Sequence, residues 1–287
     1  MSKRQGNKVF SGQDQEGKVG GDWQGDKHDI LMDTFGLTIP TELAPLPSKG
    51  VVYPEGHSCH LKEAVEIRAM TAREEDILTN RAYIKQGTVI EQVIKSCLID
   101  KNINPSDLLS GDRNAIMTAI RITGYGPDYQ VDVDCPNCGE RSEQSFDLTN
   151  LPIKNFQNEP IAVGANAFEV TLPLTKKKIR YKYLNGHEER EQNLIEERLK
   201  KKGIDSRNVV TRRYANQVIA VDDITDKVKI QKFCQNMPAR DSLALRKHMD
   251  KNEAGIEMKS HMQCPHCYEE SEVRLPIGAS FFWPDTE

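Results

Sequence analysis

Apolar and polar positions alternate along Val65-Glu66-Ile67-Arg68-Ala69-Met70, a period of two that predicts a half-buried strand. The period then lengthens. Ile77, Leu78 and Ile84 follow Thr71 and Glu74, a capping-box pair, and Gly87 marks the end of that helix. Thr88 and Glu91 open a second helix carrying Ile90, Val93, Ile94, Cys97 and Leu98 on its apolar face. Pro105 restarts the chain, Asp112 is placed as the cap of a third helix, and Gly124-Tyr125-Gly126-Pro127 ends it. Next come a strand over Gln130–Asp134, the turn Cys135-Pro136-Asn137-Cys138-Gly139, a return strand, and Leu151-Pro152-Ile153.

The same order of parts recurs downstream. A strand over Ile179–Tyr183 leads to Asn185 and Glu188 as cap and third helical residue, and Gly203 ends that helix. Asp205 or Ser206 opens another helix bearing Val209, Val210, Tyr214, Val218 and Val221. Met237-Pro238 restarts the chain, Asp241 caps a short helix, and Gly255 ends it. Ile256-Glu257-Met258, the turn Cys264-Pro265-His266-Cys267, a return strand and Leu275-Pro276-Ile277 close the series. The expectation is an α+β fold written as a tandem, pseudo-twofold repeat of strand, helices and Cys-bearing hairpin. Residues 36–154 form the first copy and 155–287 the second, which differs mainly by extra helical sequence around Asp226–Phe233. The alternating basic and acidic runs of Lys176–Lys202 read as a solvated helix face laced with ion pairs, in preference to a phosphate-binding patch.

Composition adjusts this picture at the amino end. Residues 1–35 are rich in Gly, Gln, Lys and Asp, too polar to fold alone, and are expected to be an extended arm that orders on a neighbouring subunit. Across all 287 residues, 37% are hydrophobic and 29% charged, enough for a real core. No apolar run approaches 20 residues and no apolar signal region opens the chain, so a soluble, cytosolic protein is expected. A net charge of −4 gives no electrostatic reason for nucleic acid or anionic membrane as the main partner.

The candidate chemistry lies in the cysteines. Seven are present, four of them in two Cys-Pro-x-Cys turns. Two thiolates separated by two residues in a tight turn present half of a tetrahedral site, and two such turns complete it. Cys135, Cys138, Cys264 and Cys267 are therefore the expected ligands of one structural Zn²⁺, with no position left for water or substrate. The competing reading is two redox or spectator thiol pairs. A thioredoxin-like site is disfavoured because its Cys-x-x-Cys opens a helix, whereas these turns lie between strands. His261 and His266 are close by and are treated as bystanders. Cys97 is expected to be an inert core thiol, and His57, Cys59 and His60 a polar surface turn before a second metal site. No Gly-rich phosphate loop, His-Glu-x-x-His or Gly-x-Ser-x-Gly occurs, and no catalytic residues are assigned.

Phe281-Phe282-Trp283-Pro284 gathers three aromatics at the carboxyl end, either to fold back on the core or to serve as an exposed anchor. With Phe10 and Trp23 of the arm, Phe281, Phe282 and Trp283 are the candidate interaction residues. Leu46-Pro47-Ser48-Lys49-Gly50, the strand with its Thr71-x-x-Glu74 helix, the two Cys-Pro-x-Cys hairpins and the aromatic ending together resemble a phage family. That family comprises the baseplate hub subunits and hub-assembly proteins of contractile-tailed, T-even-type bacteriophages, and the resemblance covers about residues 40–284. It implies a non-enzymatic structural or assembly role, tail or baseplate proteins as partners, and residence in the host cytoplasm during assembly and then in the virion baseplate. Members need not carry the cysteines, so the zinc expectation rests on the residues alone. The alternative function is a zinc-ribbon nucleic-acid-binding factor, against which stand the flanking Asn137, Gly139, Glu140, Glu269 and Glu270.

Overall fold

In the computed structural model, which describes residues 36, 38–201, 209–276 and 279–282, the alternating segment around Val65 becomes half of a hairpin. Thr41–Pro45 (β1) pairs antiparallel with Ala64–Arg68 (β2), Ala44 opposite Val65, and buries Ala44, Val65 and Ile67. Ala72–Thr79 (α1) follows, then Arg81–Gln86 (α2) and Val89–Cys97 (α3). The single helix expected up to Gly87 is thus two. Asn80 interrupts it: its side chain accepts the N–H groups of Ala82 and Tyr83 and caps α2, which leaves Ile84 on the surface. Ser110–Tyr125 (α4) is the long central helix, with Ile116, Ala119 and Ile120 fully buried. Asp128–Asp134 (β3) and Arg141–Asp147 (β4) then form the first Cys-bearing hairpin, and Ile153–Lys154 (β5) is a two-residue strand.

Downstream, Phe168–Thr171 (β6) pairs with Lys178–Tyr181 (β7). Gly186–Lys201 (α5) and Val209–Gln217 (α6) lead to Val218–Val221 (β8), which adds to β7. The sequence spacing puts Val218 and Val221 on a helix; the run Val218-Ile219-Ala220-Val221, mostly β-branched, instead takes the extended form, where its side chains pack without crowding a helical turn. Lys227–Asn236 (α7) follows, capped by Asp226. Ala239–Asn252 (α8), Gly255–Ile256 (β9), Lys259–Gln263 (β10) and Glu270–Arg274 (β11) complete the order, the last two forming the second Cys-bearing hairpin. Helices and small antiparallel sheets together make this an α+β fold. Gly203, Asp205 and Ser206 lie outside the described residues.

Several local devices occur twice. Neither Asp112 nor Asp241 is a helix cap; each sits in the first turn, behind Leu109 and Pro238 respectively, and is fully buried. Asp112 accepts from the Ser48 N–H at 2.9 Å, the Ser48 hydroxyl at 2.6 Å and the Tyr53 hydroxyl at 2.5 Å. Asp241 accepts from the Leu174 N–H at 2.7 Å and the Thr175 N–H at 3.0 Å. In each half the accepted N–H follows a Leu-Pro pair, Leu46-Pro47 or Leu172-Pro173, just before a positive-φ lysine, Lys49 (φ 51°) or Lys176 (φ 58°). α4 and α8 are each latched to an earlier hairpin in the same way, because a buried carboxylate at a helix start needs donors and turn N–H groups supply them.

The halves interlock at several points. β5 pairs with β9, Ile153 opposite Ile256. Gly111 lets α4 approach β9 so closely that a Cβ there would stand 1.8 Å from the Ala254 carbonyl oxygen. The first turn of α5 abuts α3 and α4, where Glu189 pairs with Arg113 and Arg190 with Glu91. These ion pairs of the charged helix therefore run across to the first half. Phe281 and Phe282 are both 0% exposed, and Phe281 packs edge-to-face on Tyr129 at 5.0 Å. The buried Arg121 guanidinium donates to the Phe281, Gly126 and Asp128 carbonyls at 3.0, 2.9 and 3.0 Å. These two phenylalanines are core residues of their own chain and are not exposed anchors: full burial leaves no surface to offer a partner. Trp283, Phe10 and Trp23 lie outside the described residues.

Candidate metal centre

Each Cys-Pro-x-Cys turn ties off its hairpin identically. The Cys135 N–H donates to the Glu140 carbonyl at 2.9 Å and the Gly139 N–H to the Cys135 carbonyl at 2.8 Å. In the second turn the Cys264 N–H reaches Glu269 at 3.1 Å and the Tyr268 N–H reaches Cys264 at 2.9 Å. Gly139 and Tyr268, the residues after the second cysteine of each turn, both have positive φ, 77° and 62°. Glycine adopts that region freely; Tyr268 adopts it at a cost and stands 75% exposed. The inward residues Tyr129, Val133 and Phe146 of one hairpin, and Met262 and Val273 of the other, are buried.

This arrangement brings the two tips together. Cys135, Cys138, Cys264 and Cys267 lie with all four sulfurs within 4.8 Å of one another, the one metal-capable group among the described residues. Cys135 and Cys267 sulfurs are 3.8 Å apart, and those of Cys138 and Cys264 are 3.7 Å apart. A regular tetrahedron with metal–sulfur arms of about 2.3 Å has edges of about 3.8 Å. A disulfide would put a pair near 2.0 Å, so these are separate thiols at ligand spacing. Cys264 and Cys135 are buried, Cys267 half-buried and Cys138 exposed.

The electrostatics favour a cation. N–H groups of Cys138 and Asn137 point at the Cys135 sulfur and draw its thiol down to about 7. The Glu269 N–H and then the Asn137 amide, 3.6 Å away, lower Cys267. The Glu140 N–H also favours the Cys138 thiolate, but desolvation and the other three sulfurs outweigh it and push that thiol up to about 12. The cluster ionises in part and resists the last negative charge, which is the condition a bound dication would relieve. The His266 N–H, 3.4 Å from the Cys264 sulfur, adds a further donor. His266 and His261 contribute no ring nitrogen to the group.

The other candidates fall elsewhere. Cys59, Cys97 and Cys234 are buried, and burial pushes their thiols up to about 12, 12 and 11. The turn around His57 is not the open surface turn expected, since Cys59 is fully buried in it. His57 stacks on Tyr53 and accepts the Cys59 N–H at 3.0 Å, while His60 faces the Tyr53 carbonyl at 2.6 Å. Sequence reasoning did not single out Asp112 and Asp241 as latches or Arg121 as a buried donor; the Leu-Pro pairs preceding each contacted turn were the available signal.

The fold and site define an α+β scaffold with a four-cysteine centre able to hold a metal ion at the meeting of two hairpins. Over residues 53–283 the chain matches the family model described as T4 bacteriophage base plate protein, and it belongs to that family. The matched span includes both Cys turns, and membership places the chain among structural proteins of the phage tail baseplate. No curated protein and no solved structure matches it. No helix among the described residues is long and apolar enough to cross a membrane.

Proposed function

We propose that the chain is a non-enzymatic structural or assembly subunit of the baseplate hub, and that Cys135, Cys138, Cys264 and Cys267 bind one structural Zn²⁺. The reading rests on four sulfurs at tetrahedral spacing, two from each hairpin, in a protein of a baseplate family. Four thiolates are soft donors suited to zinc, and with all four positions filled the ion has none left for chemistry. Residues 36–154 and 155–287 are two copies of one duplicated unit, a reading supported by the paired aspartate latches and the matching turn geometry. The metal joins those copies at their tips. Partners are other tail and baseplate proteins, met first in the host cytoplasm, and the polar arm of residues 1–35 lies on one of them. The acidic residues beside the turns, Glu140, Glu269 and Glu270, favour a protein partner over nucleic acid.

The test is elemental analysis of the purified full-length chain with X-ray absorption at the metal edge. One zinc per chain with four sulfurs at about 2.3 Å is expected. Absence of metal, two metals, or iron in place of zinc would refute the assignment.

A further inference from the structure

We propose that the four sulfurs also form a covalent staple: under a peroxide oxidant that displaces the metal, Cys135 pairs with Cys267 and Cys138 with Cys264. The inference deepens the metal reading, since it concerns the same residues in their other chemical state.

The sulfur contacts on the two sides of the site, at 3.8 and 3.7 Å, each join one hairpin to the other. A disulfide at about 2.0 Å asks each pair to close by less than about 2 Å, within reach of side-chain rotation and a small shift of the tips. A bond inside either turn pulls against the turn itself. The Cys135 sulfur already accepts the N–H groups of Asn137 and Cys138, and the Cys264 sulfur that of His266. Gly139 and Tyr268 lock both turns through the bonds to the Cys135 and Cys264 carbonyls. Cys59, Cys97 and Cys234 do not compete, because all three are buried away from the site.

Cys138, the exposed member, reacts first. Its sulfur, the one most open to the oxidant, gives up the thiol proton to solvent, attacks one peroxide oxygen and expels hydroxide, which leaves a sulfenic acid. The Cys264 thiolate then attacks that sulfur, forms the S–S bond and expels a second hydroxide. Both hydroxides take up protons as water, and Cys138 and Cys264, once bonded to each other, would no longer be available to hold a metal ion. A second peroxide oxidises Cys135 and Cys267 in the same way. The bonds span 126 and 132 residues, so the two halves stay tied where the metal tied them. A tail protein that leaves a reducing cytoplasm in a released particle keeps its joint in either state.

The experiment treats the full-length protein with hydrogen peroxide, digests it with trypsin and reads the peptides by mass spectrometry without reduction. Residues 122–141 and 260–274 are single tryptic peptides, each holding both cysteines of one turn. The expected product is one linked species containing both peptides, with two hydrogens lost per bond. Cys135→Ser/Cys267→Ser and Cys138→Ser/Cys264→Ser should each still link, and faster than Cys135→Ser/Cys264→Ser. Separate peptides, each lighter by two hydrogens, would overturn the proposal, as would thiols that survive peroxide unchanged. Zinc content measured before oxidation tests the metal reading separately, so failure of one is distinguishable from failure of the other.

Discussion

Replacing Cys264 by serine removes a fully buried sulfur 3.7 Å from Cys138, and with it the fourth arm of the site. The consequence should exceed a local one if the proposed metal is bound, because it would close a loop of 126 residues between Cys138 and Cys264. On the chain-entropy account, a cross-link over a loop of that size stabilises by about 5 kcal/mol through the unfolded state. For a chain of this length each kcal/mol moves the melting temperature by about 2–4 °C, so Cys264→Ser should lower it by roughly 10–20 °C. Calorimetry gives the shift, and hydrogen exchange locates it. Amides of β2 in the first half and β7 in the second should lose protection together, as they would if the proposed metal joins the halves. An unchanged melting temperature, or lost protection confined to β10 and β11 while β2 stays protected, would refute the idea that the site holds the two halves together.

Other outcomes follow from particular contacts. Burial alone would raise Glu74, but Arg68, Ser96 and Thr71 outweigh it and hold the carboxyl at about 2 against an ordinary 4.5. Its stabilisation, about 3 kcal/mol, is therefore full above pH 4.5 and lost as pH falls toward 2; urea titrations should show that slope in the wild type and not in Glu74→Gln. Gly111→Ala, with a Cβ 1.8 Å from the Ala254 oxygen, should cost 3 kcal/mol or more, roughly, because both sides of the clash are backbone; a cost under about 1 kcal/mol would show that α4 and β9 are not so closely apposed. Phe282→Ala should lower stability by about 3–5 kcal/mol, measured by denaturant unfolding, as expected for a fully buried ring. Deleting residues 1–35 should leave folding and metal content intact while abolishing entry into the baseplate; normal assembly would leave the arm without its proposed role.

The mixed fold and the cysteine cluster were legible in the sequence because local signals carried them. Capping pairs, glycine stops and period-two strands announce their own elements, and Cys-Pro-x-Cys fixes a turn whose two sulfurs face one way. What escaped had causes beyond the local segment. Val218 and Val221 keep helical spacing, yet β7 offers them a ladder, and the tertiary pairing decides. Asp112 and Asp241 look like caps from either side; only the folded hairpins show that their donors arrive from 64 and about 66 residues away. Asn80 could cap or interrupt, and the chain reads alike for both. The sequence of Phe281 and Phe282 fits core and interface alike; in the fold, Arg121 and Tyr129 beneath them decide for the core.

The placement of the metal-capable site at the tips follows from what holds the rest of the joint. β5 and β9 pair over two residues and the Gly111 approach is a fit without attraction of its own, so apart from the α5 ion pairs and the Phe281 packing on Tyr129 and Arg121, which lie away from the hairpin tips, little holds the joint there. The hairpins are weak elements by themselves, since each is two-stranded. The first is weaker still. Its outer face sets Asp128 opposite Asp147 and Asp132 opposite Glu143, like charges across the strands, relieved on one side by Arg141, 3.2 Å from Asp132. Buried Tyr129 and Phe146 hold the base of that hairpin, and near the tip the only buried apolar strand residue among the described residues is Val133, opposite Ser142. Directional metal–thiolate bonds at that point would supply what the strands lack: a fixed separation and orientation of two marginal hairpins, and through them of the two halves. A subunit whose surfaces must match several neighbours at once needs that fixed geometry in itself before it meets them.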